Sequence, residues 1–323
     1  MRFATFEHDG AVAAGVVDGV GRLVHPLPAG TTVLDLVRGG LPAAQAAGAA
    51  ALAGPGIPVD RVRLLPPLNP PTVRDFVAFE EHVEGVSASV DDKSGVVPEW
   101  YQAPTFYFTN PYALIGAHDP VAIPAGCTLF DFELEVAAVV GTGGRSIRPD
   151  QVEIFGYTIM NDWSARDLQR REMKVRLGPA KGKDFASTLG PWLVTADEFE
   201  TYRDAEGFLA LEMSVSVNGT VIGHDLLSNM GWPFEELVAY AARGAQVRAG
   251  DVLGSGTCGN GGCLAELWGR RGELDPPPLQ PGDVVEMTVD GIGTIRNAVV
   301  AGTDLPPVPP ARTRSRARRR ATA

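Results

Sequence analysis

The stretch Tyr157-Thr-Ile-Met-Asn-Asp-Trp-Ser-Ala-Arg-Asp-Leu-Gln169 reads as a β-strand running into Asn161-Asp162, followed by residues of helix-forming composition from Ser164. Asp162 therefore falls where a strand ends and a helix or turn begins, a seat that suits a functional acid and equally an N-cap. Upstream, Phe130-Asp-Phe-Glu-Leu-Glu-Val-Ala-Ala-Val-Val-Gly141 reads as a second strand entering a core. Residues two apart on a strand share a face, so Glu133 and Glu135 emerge side by side while Leu134 points away. Two such carboxylates repel unless one keeps a proton or a cation lies between them. On a solvated strand face they need neither. With Asp162 as a third acid, the set offers oxygen-only ligation for a hard divalent ion such as Mg²⁺, Mn²⁺ or Ca²⁺.

Outward from these strands, residues 72–302 are mostly short apolar runs, such as Ala210 to Val217 and Val284 to Val289, separated by Gly, Pro, Asn and Asp. Helical periodicity is sparse: Phe234 to Arg243 is the clearest segment and Ala165 to Met173 a weaker one. The pattern predicts a β-rich α+β roll or sandwich and not alternating βαβ units. Residues 1–66 read as a small N-terminal α+β domain. It has a hairpin at Asp9-Gly10, two short helices beginning at Thr31-Thr32 and Pro42, and a returning strand from Val59 to Leu65. Pro66, Pro67, Pro70 and Pro71 mark the linker. Residues 303–323, Pro-rich and then Arg-rich, are expected to be disordered.

The formal net charge is −11. Residues 311–323 hold six Arg and no acid, which leaves 22 bases against 39 acids, a net of −17, on the body of the chain. Such a body repels nucleic acid, and it suits a protein that concentrates a cation. The three cysteines, Cys127, Cys258 and Cys263, lack zinc-ligand spacing and point to a reduced, cytoplasmic protein. Acids occupy the first ten residues where a signal peptide needs an apolar core, and no segment can span a bilayer, so no membrane partner is expected. Gly254-Ser-Gly-Thr-Cys-Gly259 spells a dinucleotide-type glycine motif. Asn260-Gly261-Gly262 and an apolar, strand-like run to Glu266 come next, without the helix that such a site needs at its third glycine.

Seven motifs carry a family resemblance. They are Arg74-Asp-Phe-Val-Ala-Phe-Glu-Glu-His82, Phe106-Tyr-Phe-Thr-Asn-Pro111, Glu133-Leu-Glu135, Met160-Asn-Asp-Trp-Ser-Ala-Arg-Asp-Leu-Gln169, Leu177-Gly-Pro-Ala-Lys-Gly-Lys183, Gly254-Ser-Gly-Thr257 and Cys263-Leu-Ala-Glu-Leu-Trp268. On these the chain resembles the fumarylacetoacetate hydrolase family over residues 70–300. The resemblance implies a mixed β-sandwich roll behind a small N-terminal domain, a homodimer, and a small-molecule diketo or 2-oxo acid substrate. It implies Glu133, Glu135, Asp162 and Asp75 as ligands of a divalent cation. His82 falls at the position of the catalytic histidine and Glu266 at that of its carboxylate partner. Lys183 would stabilise an enolate, Arg166 and Gln169 would surround substrate oxygens, and Tyr107 and Thr257 would hold the substrate. The implied reaction is metal-dependent hydrolysis of a carbon–carbon bond.

Two positions depart from the pattern. Animal members carry a tyrosine two residues after the first metal aspartate, where this chain has Val77. They also carry an arginine nine residues after the histidine, where this chain has Asp91, an acid that would repel a substrate carboxylate. Both departures argue for a different β-diketone or an acylpyruvate in place of fumarylacetoacetate. Two other outcomes share the same residues: an isomerase, decarboxylase or hydratase of a 2-oxo acid, and a metal-binding protein without catalysis.

Overall fold

The computed structural model describes residues 1–91 and 95–314, the side chains of 87–91 excepted. Its main sheet is mixed. The order across it is Ile57–Pro58, Leu23–Pro26, Ala11–Val17, Arg2–His8, Ser187–Thr195, Glu153–Asn161, Leu134–Thr142, Val252–Gly254, Val73–Phe76 and Phe106–Thr109. Val252–Gly254 runs parallel to Val73–Phe76, which sets Gly254 opposite Asp75. A second sheet joins Thr220–Leu226, Glu212–Val217, Val284–Val289, Gly293–Val300 and Val121–Ala122 in that order. The result is the β-rich α+β architecture expected from the run of short apolar strands.

The helices are α1 (Val33–Gly39), α2 (Leu41–Leu52), α3 (Glu80–Asp91), α4 (Arg166–Lys174), α5 (Phe234–Ala241) and α6 (Leu264–Arg271). Thr32 caps α1 as its sequence suggested, in a capping box with Asp35. The strand Leu134–Thr142 is buried on both faces: Leu134, Val136, Ala138 and Val140 enter one core, and Ala137 and Val139 enter another. That explains why its apolar run does not alternate. The second core also takes Phe3, Val16, Val33 and Val37, so the N-terminal segment shares packing with the central sheet through Arg2–His8 and its partner Ser187–Thr195.

Two local expectations change, and one helix was not foreseen. The run after Gly262 is helix α6, not a strand; Cys263 is its N-cap and Gly272, at φ 73°, its left-handed C-cap. Even so, α6 starts well past the third glycine of the Gly254–Gly259 motif, so the dinucleotide reading gains nothing. Val59–Arg61 is a 3₁₀ turn, and only Arg63–Leu65 is strand. Helix α3, which carries His82, had no legible cap or apolar stripe. Residues 303–314 are exposed and without regular structure. The remainder of the Arg-rich tail lies outside the described residues, as does the Asp91 side chain. No helix among the described residues is long and apolar enough to cross a membrane.

Candidate metal centre

Glu133 sits just before the strand Leu134–Thr142, where the chain leaves the short pair formed by Phe130–Asp131 and Ser164–Ala165. It stands one residue ahead of the strand that carries Glu135. Glu133 is still clamped to its neighbour, because its N–H donates to Asn161 Oδ1 at 3.0 Å and its carbonyl accepts from Asp162 N–H at 3.3 Å. Asp75 arrives on Val73–Phe76, two strands away. Asp75, Glu133 and Asp162 each turn a carboxylate oxygen inward, all within 4.8 Å of one another and all buried. Glu135, fully buried, lies behind Asp75 and outside that triad. Gly254 makes room for both: a Cβ there would meet Asp75 Oδ1 at 2.6 Å and Glu135 Oε2 at 2.7 Å.

Cations already on the chain balance part of this charge. Lys183 Nζ donates to Glu133 and lies 2.7 Å from Asp162 Oδ2, while Arg166 Nη2 lies 2.7 Å from Glu133 Oε1. Burial would raise the Glu133 pKa, but Lys183 and Arg166 outweigh it and hold the carboxylate down at about 2. Asp162 keeps a raised pKa because burial exceeds the pull of Lys183. Its carboxylate accepts from Tyr107 Oη and, at 3.1 Å, from Ser187 Oγ. Asp75 and Glu135 are pushed well above the carboxylate range, first by burial and then by neighbouring acids. Asp75 Oδ1 and both Glu135 oxygens are buried with no hydrogen-bond partner besides the proton that the two carboxyls can share. Orphaned oxygens beside a converging acid triad fit a hard divalent ion with oxygen ligands, as the sequence suggested. Asp75, Glu133 and Asp162 would hold it, with Glu135 against Asp75.

His82, on α3, is 6% exposed, and burial pulls its pKa down to about 4 despite the Glu133 charge. Its imidazole is therefore neutral at pH 7. Glu266 is not among its hydrogen-bond partners; the partner of Nδ1 is Cys263 Sγ at 3.7 Å. The Glu266 carboxylate instead accepts from Gly261 N–H at 3.3 Å and lies 2.9 Å from Arg270 Nη2, with Oε2 unpartnered. Burial pushes its pKa up to about 7. Gln169 Oε1 accepts from Arg166 Nη1 at 3.2 Å, and Thr257 is buried in the loop after Gly254.

The roles of two residues escaped the sequence reading. Asp131 accepts from Arg166 Nε and from the first amides of α6, Leu264 and Ala265, at 2.8–3.0 Å. It thus ties the cation pair to the helix that faces His82. The signal was present, since Asp131 stands two residues before Glu133 and shares its parity. Cys263 opens one of the quoted motifs, but its contact with His82 was not read, because its spacing of three before Glu266 matters only once α6 is known to be a helix.

Residues 72–300 match the family model for the fumarylacetoacetate (FAA) hydrolase C-terminal region, and residues 1–67 match the model named Rv2993c-like, N-terminal. A fumarylacetoacetase of Arabidopsis thaliana is 28% identical over 65% of this chain and 61% of its own length. The oxaloacetate tautomerase YisK of Bacillus subtilis is 30% identical over 61% of each chain. The chain thus spans about three fifths of the length of these curated relatives. Among solved structures, a fumarylacetoacetate hydrolase of Exiguobacterium antarcticum superposes with TM-score 0.71 at 26% identity, covering 93% of this chain and 99% of that one. The maleylpyruvate hydrolase of Sphingobium sp. SYK-6, solved with manganese(II) and pyruvate, has the same fold, with TM-score 0.68 at 23% identity over 94% of this chain and all of that one.

Proposed function

We propose that this chain, which belongs to the fumarylacetoacetate hydrolase family, is a divalent-metal-dependent hydrolase that cleaves a carbon–carbon bond of a 1,3-diketo acid or acylpyruvate. The observation that carries the reading is the buried triad of Asp75, Glu133 and Asp162, underbalanced in positive charge, next to a neutral His82 on a separate helix. A divalent ion held by the triad would supply electrophilic polarisation of two chelating substrate oxygens.

The chain's own residues do the rest. His82 takes a proton from water at its imidazole and so directs the oxygen at one substrate carbonyl. The carbon–carbon bond then breaks, the departing carbon leaves as an enolate, and the proton held on His82 passes to that carbon, which restores the neutral imidazole. Lys183, which orients Glu133 and Asp162, offers its remaining N–H to that enolate oxygen. Arg166 and Gln169 form a hydrogen-bonded pair suited to a substrate carboxylate. Tyr107 keeps Asp162 turned inward, Thr257 lines the same buried region, and Glu266 acts on His82 through the packing of α6 against α3. Val77 and the acid at position 91 favour a different β-diketone or an acylpyruvate over fumarylacetoacetate.

A second reading rests on a specific observation, the thiol that stands beside His82 Nδ1 where a carboxylate would strengthen the base. A weak base suffices to move a proton between carbon and oxygen, as in the tautomerisation for which the B. subtilis relative is named. Turnover of acylpyruvates with added Mg²⁺ or Mn²⁺, run in parallel in H₂¹⁸O and in D₂O, separates the two. Hydrolysis yields two fragments, one a carboxylic acid carrying ¹⁸O; solvent deuterium on an intact carbon skeleton would identify the tautomerase instead.

A further inference from the structure

Cys263 occupies an unusual post. It is the N-cap of α6, where its Sγ accepts the Glu266 N–H at 3.4 Å, and the same sulfur lies 3.7 Å from His82 Nδ1. Both side chains are buried, Cys263 completely. Capping alone does not account for a cysteine here, since Ser, Thr, Asp and Asn cap helices better. What sulfur adds is reach. The C–S bond is longer than C–O and the atom larger, so one side chain spans from the end of α6 to the imidazole on α3.

We propose that Cys263 is the positioning residue of His82: Nδ1–H donates to Sγ, which fixes the ring's orientation and leaves Nε2 as its basic atom. This deepens the hydrolase reading and rests on it. The thiol is held at both ends. The next two amides of α6, Leu264 and Ala265, are anchored on Asp131, and Asp131 is anchored on Arg166, which pairs with Glu133. The sulfur's place relative to the acid triad is therefore set by a continuous chain of hydrogen bonds and ion pairs. Glu266, committed to Gly261 and Arg270, contributes its backbone N–H to the thiol.

Serine separates this role from a structural one, because it preserves the cap while its shorter bond withdraws from Nδ1. With metal-loaded full-length protein and an acylpyruvate, Cys263→Ser and Cys263→Ala are each expected to lower kcat roughly 10–100-fold at near-constant KM. Cys263→Ser is expected to keep the wild-type Tm. Cys258→Ser, at a buried cysteine with no hydrogen bond to His82 among the described residues, controls for loss of a thiol and should leave kcat unchanged. An independent readout needs no turnover: ¹⁵N NMR of the imidazole should find His82 with its proton on Nδ1 in wild type and redistributed toward Nε2 in both Cys263 variants. A wild-type Nε2–H tautomer, or wild-type kcat in Cys263→Ser, overturns the proposal. His82→Ala retaining full activity would overturn the hydrolase reading itself, whereas an inactive His82→Ala beside a fully active Cys263→Ser overturns only the role of the thiol.

Discussion

Lys183 holds two of the three converging acids, and both of its ion pairs are almost wholly removed from water. Removing one partner of a buried pair leaves the other's charge unsolvated, so Lys183→Met should cost about 3–5 kcal/mol in metal-free protein, readable by urea denaturation. Asp75 and Glu135 give a pH dependence of definite sign. Both carboxyls are raised well above their ordinary values, first by burial. The unfolded chain releases these protons near pH 4, about the ordinary carboxylate value, while the folded one retains them. Their contribution to stability is thus complete below about pH 4 and is lost as the pH rises toward the folded values. Metal binding must expel the same protons. Metal-free protein should therefore lose stability as the pH rises above the acid range, ion affinity should grow over the same interval, and calorimetry in buffers of different ionisation enthalpy should record proton release. Affinity that does not change with pH would show that these carboxyls are not displaced. For His82, neutral at pH 7 because of burial, substitution by Ala should reduce kcat/KM by roughly 10²–10⁴-fold while ion affinity persists.

At the level of elements, α3 and α6 meet where Gly85 faces Glu266. A Cβ at Gly85 would lie 2.4 Å from Glu266 Cγ and 3.2 Å from its backbone. Replacing glycine by alanine inside a helix ordinarily gains about 1 kcal/mol. Here the closeness reverses the sign, and Gly85→Ala should destabilise by about 1–3 kcal/mol as the helices separate. It should also lower kcat, since the separation draws His82 away from Cys263; a gain in Tm would refute the tight packing. These two helices were the hardest part of the fold to read. Helix α3 contains Gly85 and a polar stretch, and α6 follows a run of glycines with a cysteine at the cap position, so neither displays the usual start signals. The strands were easier, because Tyr157 to Met160 and Val136 to Val140 are apolar and bounded by turn residues. What the strand pattern hid was the interruption at Phe132-Glu133, between the short strand Phe130–Asp131 and the strand that carries Glu135. Period-two reasoning assumes an uninterrupted strand, and no residue there is a glycine or proline to announce the interruption.

Across the whole molecule, a large acidic surplus surrounds a site that gathers acids from three strands or strand ends far apart in sequence. The candidate acids were legible because they lie in distinctive motifs; Asp75, Glu133 and Asp162 converge in the fold, while Glu135, also expected as a ligand, lies outside that triad. The partner of His82 was not legible, because choosing between Cys263 and Glu266 takes the three-dimensional placement of α6 against α3. Since the orphaned oxygens gain ligation only in the fold, a divalent ion should stabilise the native state by about 2.7 kcal/mol at a hundredfold excess over Kd. The central claim is tested most directly by Mn²⁺ titration of the full-length chain, followed by electron paramagnetic resonance, for wild type, Asp162→Asn and Asp75→Asn. One tightly held ion per chain in wild type, with affinity weakened at least roughly 10–100-fold in both variants, is the predicted result. Equal affinity in all three would contradict a centre built from these acids.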